Sequence, residues 1–406
     1  MDLFEKCRGF FADPSVAESM GYPTSAQRLK EMGLYPYFIA LDHTEGTEVT
    51  VEGHRLIMLG SNNYLGLTTH PDVRAAARKA IEEFGTSCTG SRFLNGTLAM
   101  HGELERRLAA FLGMETALVF STGYQTNLGT LSALIGRNDV VICDKEDHAS
   151  IVDGCRLALG RMKRFAHNDL EDLERVLVTC PDEVGKLVVV DGVFSMGGEI
   201  APLPDLIPIC RKHGVRLLVD DAHSVGVLGG GRGTAAHFGV TEDVDLIVGT
   251  FSKSFASIGG FVAGDEATLH WIQHLARSLI FSASLPAPNV AAAIAALDVM
   301  EKEPERSERV NAIADRMRDG YRDLGFNIGD TETPIIPIVI GDGLKAMKVW
   351  RALFDAGVYT NVAIPPAVPH GMALLRTSYM ATHTDEQMDR VLDVFASVGR
   401  DFALLD

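Results

Sequence analysis

The chain has 406 residues, of which 46% are hydrophobic and 22% are charged, and its formal net charge at pH 7 is −17. This composition is typical of a globular enzyme with a large core, and the length predicts two or three domains. The negative net charge argues against a nucleic-acid partner, because a phosphate backbone requires clusters of Lys and Arg.

The first 55 residues are predicted to form an N-terminal arm, and a loop and a helix follow it. In chain order, the expected elements are a helical pattern at 26–33, strand-like alternation at 45–52, an apolar run at 56–59, a turn-rich loop at 60–66 and a helix at 71–84. Pro71 near the start of the last helix suits the first helical turn.

Between about residues 115 and 265, short β-rich runs alternate with helical patterns. The runs lie at 117–120, 140–143, 187–190, 217–220 and 246–248. This alternation predicts βαβ units and a mainly parallel sheet with right-handed crossovers. A further strand at 261–263 is expected to run antiparallel to the others.

The pattern changes in the C-terminal part of the chain, where longer helices alternate with few strands. The expected elements are helices at 287–302, 307–324 and 344–356, strands at 334–340 and 374–378, and a final helix from 385. They predict a smaller α+β domain. We therefore divide the chain into an arm at 1–55, a large α/β domain at 56–286 and a small domain at 287–406.

Cysteines and apolar runs bear on the location of the protein. The six cysteines show no C-x-x-C or zinc spacing, which predicts a reducing compartment, no disulfide framework and no metal site. No signal-peptide apolar region follows the N-terminus, and the longest candidate span, 290–300, is short and Ala-rich. We expect a soluble, cytoplasmic protein, and peripheral membrane contact stays open.

Lys253 follows the apolar run 246–248 and precedes a segment of small residues. Desolvation at the end of a buried strand disfavours the charged form of a lysine, and a partly neutral lysine is a nucleophile suited to a carbonyl cofactor. The hydroxyls of Thr250 and Ser252 could bind a phosphate beside it. For this segment alone, a surface lysine in a Ser/Gly loop is an equally good interpretation.

Asp220 ends a second apolar run, at the point where open α/β sheets bind their ligands. A carboxylate there can pair with a pyridinium nitrogen and keep it protonated, which makes the ring an electron sink. A buried carboxylate also requires a cationic partner. Taken alone, Asp220 could equally cap the next turn.

Three further strand ends carry polar groups, namely Ser121, Thr122 and Gly123 after the first run, His148 after the second and Ser195 after the third. A helix N-terminus at the first of these would suit a phosphate, an imidazole could stack on a flat ring, and a serine could bond a ring hydroxyl. A capped helix and a structural histidine are the alternatives at single positions. Five consecutive strand ends that meet at one edge of a parallel sheet favour a common site.

Nearly the whole chain, from Gly60–Gly66 to Leu374–Ser378, resembles the α-oxoamine synthases among the fold-type I pyridoxal-phosphate enzymes. The supporting segments are Phe84–Thr97, Phe120–Gln125, His148–Gly154, Gly249–Ser254 and Phe281–Pro286. The run Thr89–Gly96 is similar to the serine-using branch of that family. The resemblance implies a mostly parallel central sheet flanked by helices, a smaller C-terminal α+β domain, an N-terminal arm and a homodimer with a shared active site.

The resemblance also implies roles around a pyridoxal 5'-phosphate cofactor. Lys253 would bind the cofactor and later move the substrate α-proton, and Asp220 would pair with the pyridinium nitrogen. His148 would stack on the ring, and His223 and Ser195 would bond the ring hydroxyl. The expected catalytic residues are therefore Lys253, His148, Asp220 and His223.

Further residues would hold the phosphate and the amino-acid substrate. By the same resemblance, the phosphate would be surrounded by Ser121, Thr122, Gly123, Tyr124, Thr250 and Ser252, joined by Ser282 of the partner subunit. Asn63 and Arg376 would lie on the substrate side, with Arg376 as a carboxylate clamp because a guanidinium binds a carboxylate through two hydrogen bonds. A structural ion pair is the alternative for Arg376.

The implied reaction is the decarboxylative condensation of L-serine with palmitoyl-CoA, giving 3-ketosphinganine, CoA and CO2, the first step of sphingolipid synthesis. One departure is Ile364, before Pro365 and Pro366, where the serine-using branch often carries an Arg that can reach the substrate carboxylate. His148 and Arg376 would then bind that carboxylate, or the amino acid differs.

Three other functions are weighed against this one. The nearest is another α-oxoamine synthase that uses alanine or glycine with a different acyl-CoA or an acyl carrier protein thioester. An aminotransferase on the same fold would interconvert amino and keto acids without CoA. A non-enzymatic protein on this fold would be expected to lack Lys253 or Asp220, and both are present.

Overall fold

The computed structural model of the protein describes residue 2 and residues 4–405. Its α-helices are α1 (Glu5–Ala12), α2 (Pro14–Ser19), α3 (Ala26–Glu31), α4 (Pro71–Phe84), α5 (Ala99–Leu112), α6 (Gly123–Leu134), α7 (Ala149–Leu157), α8 (Leu170–Val178), α9 (Leu203–Lys212), α10 (Thr234–His237), α11 (Glu266–Leu275), α12 (Arg277–Ile280), α13 (Ala287–Lys302), α14 (Glu305–Asp323), α15 (Gly343–Asp355) and α16 (Asp385–Asp401). Its strands are β1 (His43–Thr44), β2 (Glu48–Val51), β3 (His54–Met58), β4 (Thr116–Phe120), β5 (Val140–Asp144), β6 (Arg161–Phe165), β7 (Lys186–Asp191), β8 (Arg216–Asp220), β9 (Leu246–Thr250), β10 (Gly260–Gly264), β11 (Ile335–Gly341), β12 (Val358–Tyr359), β13 (Asn361–Ala363) and β14 (Ala373–Ser378).

Contacts along the chain define two units. The central unit comprises residues 63–195 and 199–309, and the terminal unit comprises the residues up to 62, 196–198 and those from 310 onward. Helix α13 has the bounds that the sequence predicts, and it packs against α4 in the central unit. The three-part division at residues 55 and 286 stays a prediction.

A seven-stranded sheet with the order β4-β10-β9-β8-β7-β5-β6 forms the middle of the central unit. Strands β9, β8, β7, β5 and β6 are mutually parallel, and β10 runs antiparallel to both β4 and β9. This confirms the expected mainly parallel sheet with one antiparallel strand. The edge strand β6 was not predicted, because its sequence, RMKRF, is mostly charged and only its last residue is buried.

Both faces of this sheet are covered by hydrophobic residues. In β8, Leu217 and Val219 belong to one core cluster with residues of α8 and α9, and Leu218 belongs to the other with residues of α6 and α7. Because successive side chains alternate between faces, a strand covered on both sides is a continuous apolar run. That is why the inner strands are recognisable in the sequence, and why their first polar residues mark the strand ends.

The terminal unit contains two smaller sheets. One has the order β1-β2-β3-β12, in which β12 is parallel to β3, and the other has the antiparallel order β11-β14-β13. Its core includes the fully or almost fully buried side chains of Tyr321, Trp350, Tyr379 and Phe395. Within the described residues, no helix is both long enough and apolar enough to cross a membrane.

Candidate active site

The carboxyl ends of β4, β5, β7, β8 and β9 open on one cavity of about 330 Å³ in the central unit. The register aligns these ends, since Asp191 pairs with Asp220 and Asp220 pairs with Val248. Among the residues predicted for the site, those that line the cavity are Thr122, Gly123, Tyr124, His148, Asp220, His223, Thr250, Ser252 and Lys253.

Lys253 is half-buried in a tight turn that follows β9. Two fully buried phenylalanines, Phe251 and Phe255, flank it in sequence and contact each other with ring centroids 5.1 Å apart. The turn closes through a hydrogen bond from the Ala256 N–H to the Lys253 carbonyl (3.0 Å), and Ala256 has a positive φ of 52°. The aromatic anchors fix the backbone on both sides of Lys253, and its side chain reaches the cavity.

Asp220 is buried, with 5% of its surface exposed, at the end of β8. One carboxylate oxygen accepts from Asn127 Nδ2 (2.6 Å), and the other accepts from the Ala222 N–H (3.0 Å). Among the described residues, no ion pair to this carboxylate is formed. Since a buried carboxylate is costly without a cation, its place in the cavity wall suits a positively charged ligand atom.

His148 is the N-cap of α7, and its Nδ1 lies 2.8 Å from Ser150 Oγ and accepts from the Ser150 N–H (3.2 Å). The backbone N–H of His148 donates to Asp191 Oδ2 (3.1 Å). The ring is accessible from the cavity, but the surrounding protein atoms desolvate it, and this lowers its pKa below the ordinary value. The lowered pKa favours the neutral imidazole, which can lie against a flat ring.

Two buried carboxyl groups, of Asp147 and Asp191, lie next to His148. Asp147 Oδ1 accepts from the Asp191 N–H (2.9 Å), and its Oδ2 accepts from the Asp144 N–H (2.9 Å). Burial, together with neighbouring carboxylates, raises the pKa of Asp147 and of Asp191 well above the usual range. These two carboxyl groups therefore bind a proton more tightly than exposed aspartates do.

His223 also lines the cavity and is held by Tyr64. The Tyr64 hydroxyl lies 2.7 Å from His223 Nδ1, and both side chains are buried. This contact, between residues 159 positions apart in the chain, fixes the direction in which the imidazole presents its other nitrogen.

The N-terminus of α6 forms the end of the cavity that suits a phosphate. Thr122 caps the helix by accepting from the Gln125 N–H (3.0 Å), and the Thr250 and Ser252 hydroxyls lie 2.9 Å from each other. A β-carbon on Gly123 would lie 2.8 Å from the Thr250 side chain, so only glycine allows this close approach. Backbone N–H groups and hydroxyls at a helix N-terminus form an anion-binding site.

Four predicted residues of the central unit do not line this cavity. Ser195 lies in the loop after β7, Ser121 donates to the Ala283 carbonyl, Ser282 Oγ accepts from Gln125 Nε2 (3.0 Å), and Asn63 Nδ2 donates to Thr68 Oγ1 (2.9 Å). Their predicted roles stay predictions. Tyr124 does line the cavity, and its hydroxyl is hydrogen-bonded to Asp153.

Arg376 lies on β14 of the terminal unit, with only 5% of its surface exposed. Its Nη2 donates to Asn62 Oδ1 (3.0 Å), and its Nη1 donates to Ser378 Oγ (3.4 Å). The predicted substrate-side roles of Arg376 and Asn63 stay predictions, and the contact of Arg376 with Asn62 was not predicted from the sequence.

Ile364 has a structural role that explains its apolar character. Its side chain is 4% exposed and belongs to the hydrophobic core of the terminal unit, together with Leu375 of the neighbouring strand. An arginine at this position would place a charge in that core, which is strongly unfavourable. The residue therefore packs here and supplies no group to bind a carboxylate.

Several polar residues of the site were not predicted from the sequence. Asn127, Ser150 and Asp191 line the cavity, and Tyr64 contacts His223. Asn127 did carry a signal, since it follows Gly123 by four residues and therefore lies on the same face of α6. Tyr64 carried none, because its contact is long-range.

A family model for aminotransferase class I and II matches residues 54–395, and the chain belongs to that family. The serine palmitoyltransferase of Bacteriovorax stolpii is 48% identical over 394 residues, which cover 97% of this chain and 92% of that protein.

Solved structures agree with this family over the full length. A serine palmitoyltransferase of Sphingomonas wittichii matches with a TM-score of 0.94 and 41% identity, with 100% of both chains covered. A high-resolution serine palmitoyltransferase structure with pyridoxal phosphate as internal aldimine matches with a TM-score of 0.94 and 40% identity, again with 100% of both chains covered. The fold is that of the fold-type I pyridoxal-phosphate transferases, as the sequence predicted.

Proposed function

We propose that this chain is a pyridoxal-phosphate-dependent acyltransferase that condenses L-serine with palmitoyl-CoA to give 3-ketosphinganine, CoA and CO2, the first step of sphingolipid synthesis. The observation that carries the proposal is the convergence of Lys253, Asp220 and His148 on one cavity at the carboxyl edge of the sheet. The serine palmitoyltransferases that match this chain over its full length support the choice of reaction.

The cavity fits pyridoxal 5'-phosphate at both ends. The buried Asp220 carboxylate would accept a pyridinium N–H, and the N-terminus of α6, with Thr122, Thr250 and Ser252, would hold the phosphate. Lys253 would bind the carbonyl carbon between them. The chemistry that this cofactor supplies when bound is electron withdrawal from the α-carbon of an attached amino acid.

The side chains around the cavity divide the remaining work. The Lys253 amine removes the α-proton of the amino acid and later returns a proton to the product. The His148 imidazole would cover the ring of the cofactor, and His223, oriented by Tyr64, would bond its ring hydroxyl, with Ser195 as a further proposed partner. Condensation with the thioester releases CoA, and the β-keto acid then loses CO2.

Arg376 is our proposed ligand for the amino-acid carboxylate, because its planar guanidinium can form two parallel hydrogen bonds. Asn62, which accepts from Arg376, fixes the direction of the fork, and Asn63 stays a proposed substrate contact. Ile364 is buried in the core of the terminal unit and offers no group to the carboxylate. Because Ile364 stands where the serine-using branch often carries an arginine, one alternative is an α-oxoamine synthase that uses alanine or glycine with a different acyl donor.

We further propose a homodimer with a shared active site, in which Ser282 of the partner subunit joins the phosphate site, and a cytoplasmic location. The exposed Phe281 beside Ser282, 73% accessible, and the exposed Leu94, 78% accessible, support a covered surface in this part of the central unit. Light scattering of the purified protein tests the assembly, and a monomeric mass would reject it.

Thiol release from palmitoyl-CoA tests the reaction, with serine, alanine or glycine supplied in turn to the purified, cofactor-loaded protein. Release that depends on serine supports the proposal. Release only with alanine or glycine would move the protein to another α-oxoamine synthase activity. Amino-group exchange with a keto acid, without thiol release, would identify an aminotransferase instead.

A further inference from the structure

A continuous hydrogen-bonded chain joins two residues of the cavity wall that lie on different strand ends. Asn127 Nδ2 lies 2.6 Å from Asp220 Oδ2 and 2.9 Å from Ser150 Oγ. Ser150 Oγ in turn lies 2.8 Å from His148 Nδ1. Asn127 and Ser150 are each almost completely buried, so water cannot replace these contacts.

Two groups fix directions in this chain, namely the Asp220 carboxylate, which only accepts, and the Ser150 backbone N–H, which donates to His148 Nδ1. The Asp220 carboxylate can only accept, so the Asn127 amide must present its NH2 group, and its second N–H donates to Ser150 Oγ. The Ser150 hydroxyl accepts this bond and keeps its own proton, which it can donate to His148 Nδ1. The Ser150 backbone N–H also donates to this nitrogen (3.2 Å), so a proton on Nδ1 would face two donors.

We propose that Asn127 and Ser150 are positioning residues that hold Asp220 in place and fix His148 as the neutral tautomer protonated at Nε2. The inference rests on the proposed function, since Asp220 would pair with the ring nitrogen of the cofactor and His148 would lie on its face. It goes beyond that function because it assigns the imidazole proton to one nitrogen. His148 then presents an N–H donor, and never an acceptor, to a molecule in the cavity.

An unpaired atom supports a functional role for Asn127 over a purely structural one. Its Oδ1 is buried and has no hydrogen-bond partner among the described residues. A buried unpaired carbonyl oxygen costs about 1–3 kcal/mol, which an apolar side chain at this position would avoid. The amide cannot turn to pair this oxygen, because it would then point at the Asp220 carboxylate.

Burial and the Lys253 charge lower the pKa of His148, and the Asp220 charge raises it. Asp220 faces it from β8, Asp191 accepts its backbone N–H from β7, and Lys253 faces it from the turn after β9. The Tyr124 ring of α6 lies edge-on with its centroid 6.3 Å away. Attraction from Asp220 raises the pKa of His148, but desolvation outweighs it and the net direction is downward.

Nitrogen NMR of the cofactor-loaded protein with ¹⁵N-labelled histidine tests the proposal. The shifts of Nδ1 and Nε2 report the tautomer of each imidazole, and the His148 signals are assigned by their loss in His148→Asn. We expect a single Nε2–H tautomer in the parent protein and a mixture of tautomers in Ser150→Ala. Asn127→Ala should also release the tautomer and weaken pyridoxal-phosphate binding about tenfold, equivalent to about 1.4 kcal/mol.

The double variant should behave like either single variant, because both break the same chain. Ser132→Ala is the matched control, since the Ser132 hydroxyl lies on the same helix as Asn127 and donates to the Leu128 and Gly129 carbonyls of that helix. Circular dichroism checks the fold of each variant, and Ser150→Thr, which keeps the hydroxyl, should retain the tautomer. A parent His148 protonated at Nδ1, or a tautomer unchanged in both single variants, would overturn the inference. Neither readout needs substrate, so a protein that fails to release thiol with serine rejects the proposed function and leaves this inference standing.

Discussion

The two edges of the seven-stranded sheet carry cavities of opposite character. The cavity at the carboxyl edge has a volume of about 330 Å³, and the one at the amino edge has a volume of about 730 Å³. The larger cavity is lined by the starts of β7, β8 and β9, and the smaller one by their ends. Size alone would therefore favour the amino edge, whereas the proposed site lies at the carboxyl edge.

The difference lies in what the charged side chains contact. At the amino edge, Arg216 and Asp245 form an ion pair (2.6 Å), Asp245 also accepts from the Leu217 N–H (2.8 Å), and Lys186 Nζ donates to the His213 carbonyl (3.4 Å). These charged groups are thus paired with each other or with the backbone next to the strands. At the carboxyl edge, polar side chains from five strands point into a common space, as open α/β sheets arrange their ligand sites.

Replacing one lysine at each edge by alanine gives the largest expected difference in thiol release. Lys253→Ala should reduce serine-dependent thiol release at least about 10³-fold, because it removes both the cofactor attachment and the general base. The visible absorption of the bound cofactor should change as well. Lys186→Ala, at the amino edge, should leave both properties unchanged.

Thiol release and cofactor absorption measured side by side on the two variants decide this prediction. Appreciable turnover in Lys253→Ala would remove that residue from the reaction. A comparable loss in Lys186→Ala would show that the amino edge takes part and would end the distinction between the edges.

Two aspartates sharpen the comparison with a smaller effect. Asp220→Asn should lower turnover by about 10²-fold, because a neutral amide cannot hold a protonated pyridine nitrogen by charge. Asp245→Asn keeps an acceptor for the Leu217 N–H and should leave turnover unchanged. Cofactor affinity from equilibrium titration should follow the same order, and equal effects of the two substitutions would contradict the assignment.

The carboxyl edge could be predicted from the sequence because of how the inner strands are buried. Strands covered on both faces are uninterrupted apolar runs, so the first polar residue marks a strand end and the direction of the chain gives the edge. Lys253, Asp220 and His148 were found in this way. The edge strand β6 lacked the apolar run and was missed.

The supporting contacts of the site could not be predicted, because they join residues that are far apart in the chain. Asn127 reaches Asp220 across 93 positions, and Tyr64 reaches His223 across 159. Local patterns carry no signal for such pairs. Ile364 shows the converse, since the sequence marked it as a departure in a substrate loop and the structure shows a packed core residue.

Asp221 gives the smallest expected effect, and it tests whether a buried carboxyl group at the carboxyl edge lowers the free energy of unfolding. Burial raises the pKa of Asp221 from 3.8 to about 6, although its Oδ2 accepts from the Thr234 N–H (3.0 Å). A carboxyl group with a raised pKa in the folded state favours folding fully below the unfolded pKa, and that contribution is lost as the pH rises through the folded pKa. Between pH 4 and pH 7, Asp221 therefore lowers the free energy of unfolding.

Asp221→Asn should remove this loss, and we expect its free energy of unfolding relative to the parent protein to rise by about 2 kcal/mol between pH 4 and pH 7. Urea unfolding of the cofactor-loaded proteins at the two pH values measures the difference. Asp245→Asn should change in the opposite direction at pH 7, by no more than about 1 kcal/mol, because it breaks an exposed ion pair. If the difference in the free energy of unfolding between Asp221→Asn and the parent protein does not change with pH, the Asp221 carboxyl group does not titrate in this range. In that case the proposed stability cost of the carboxyl edge would be rejected.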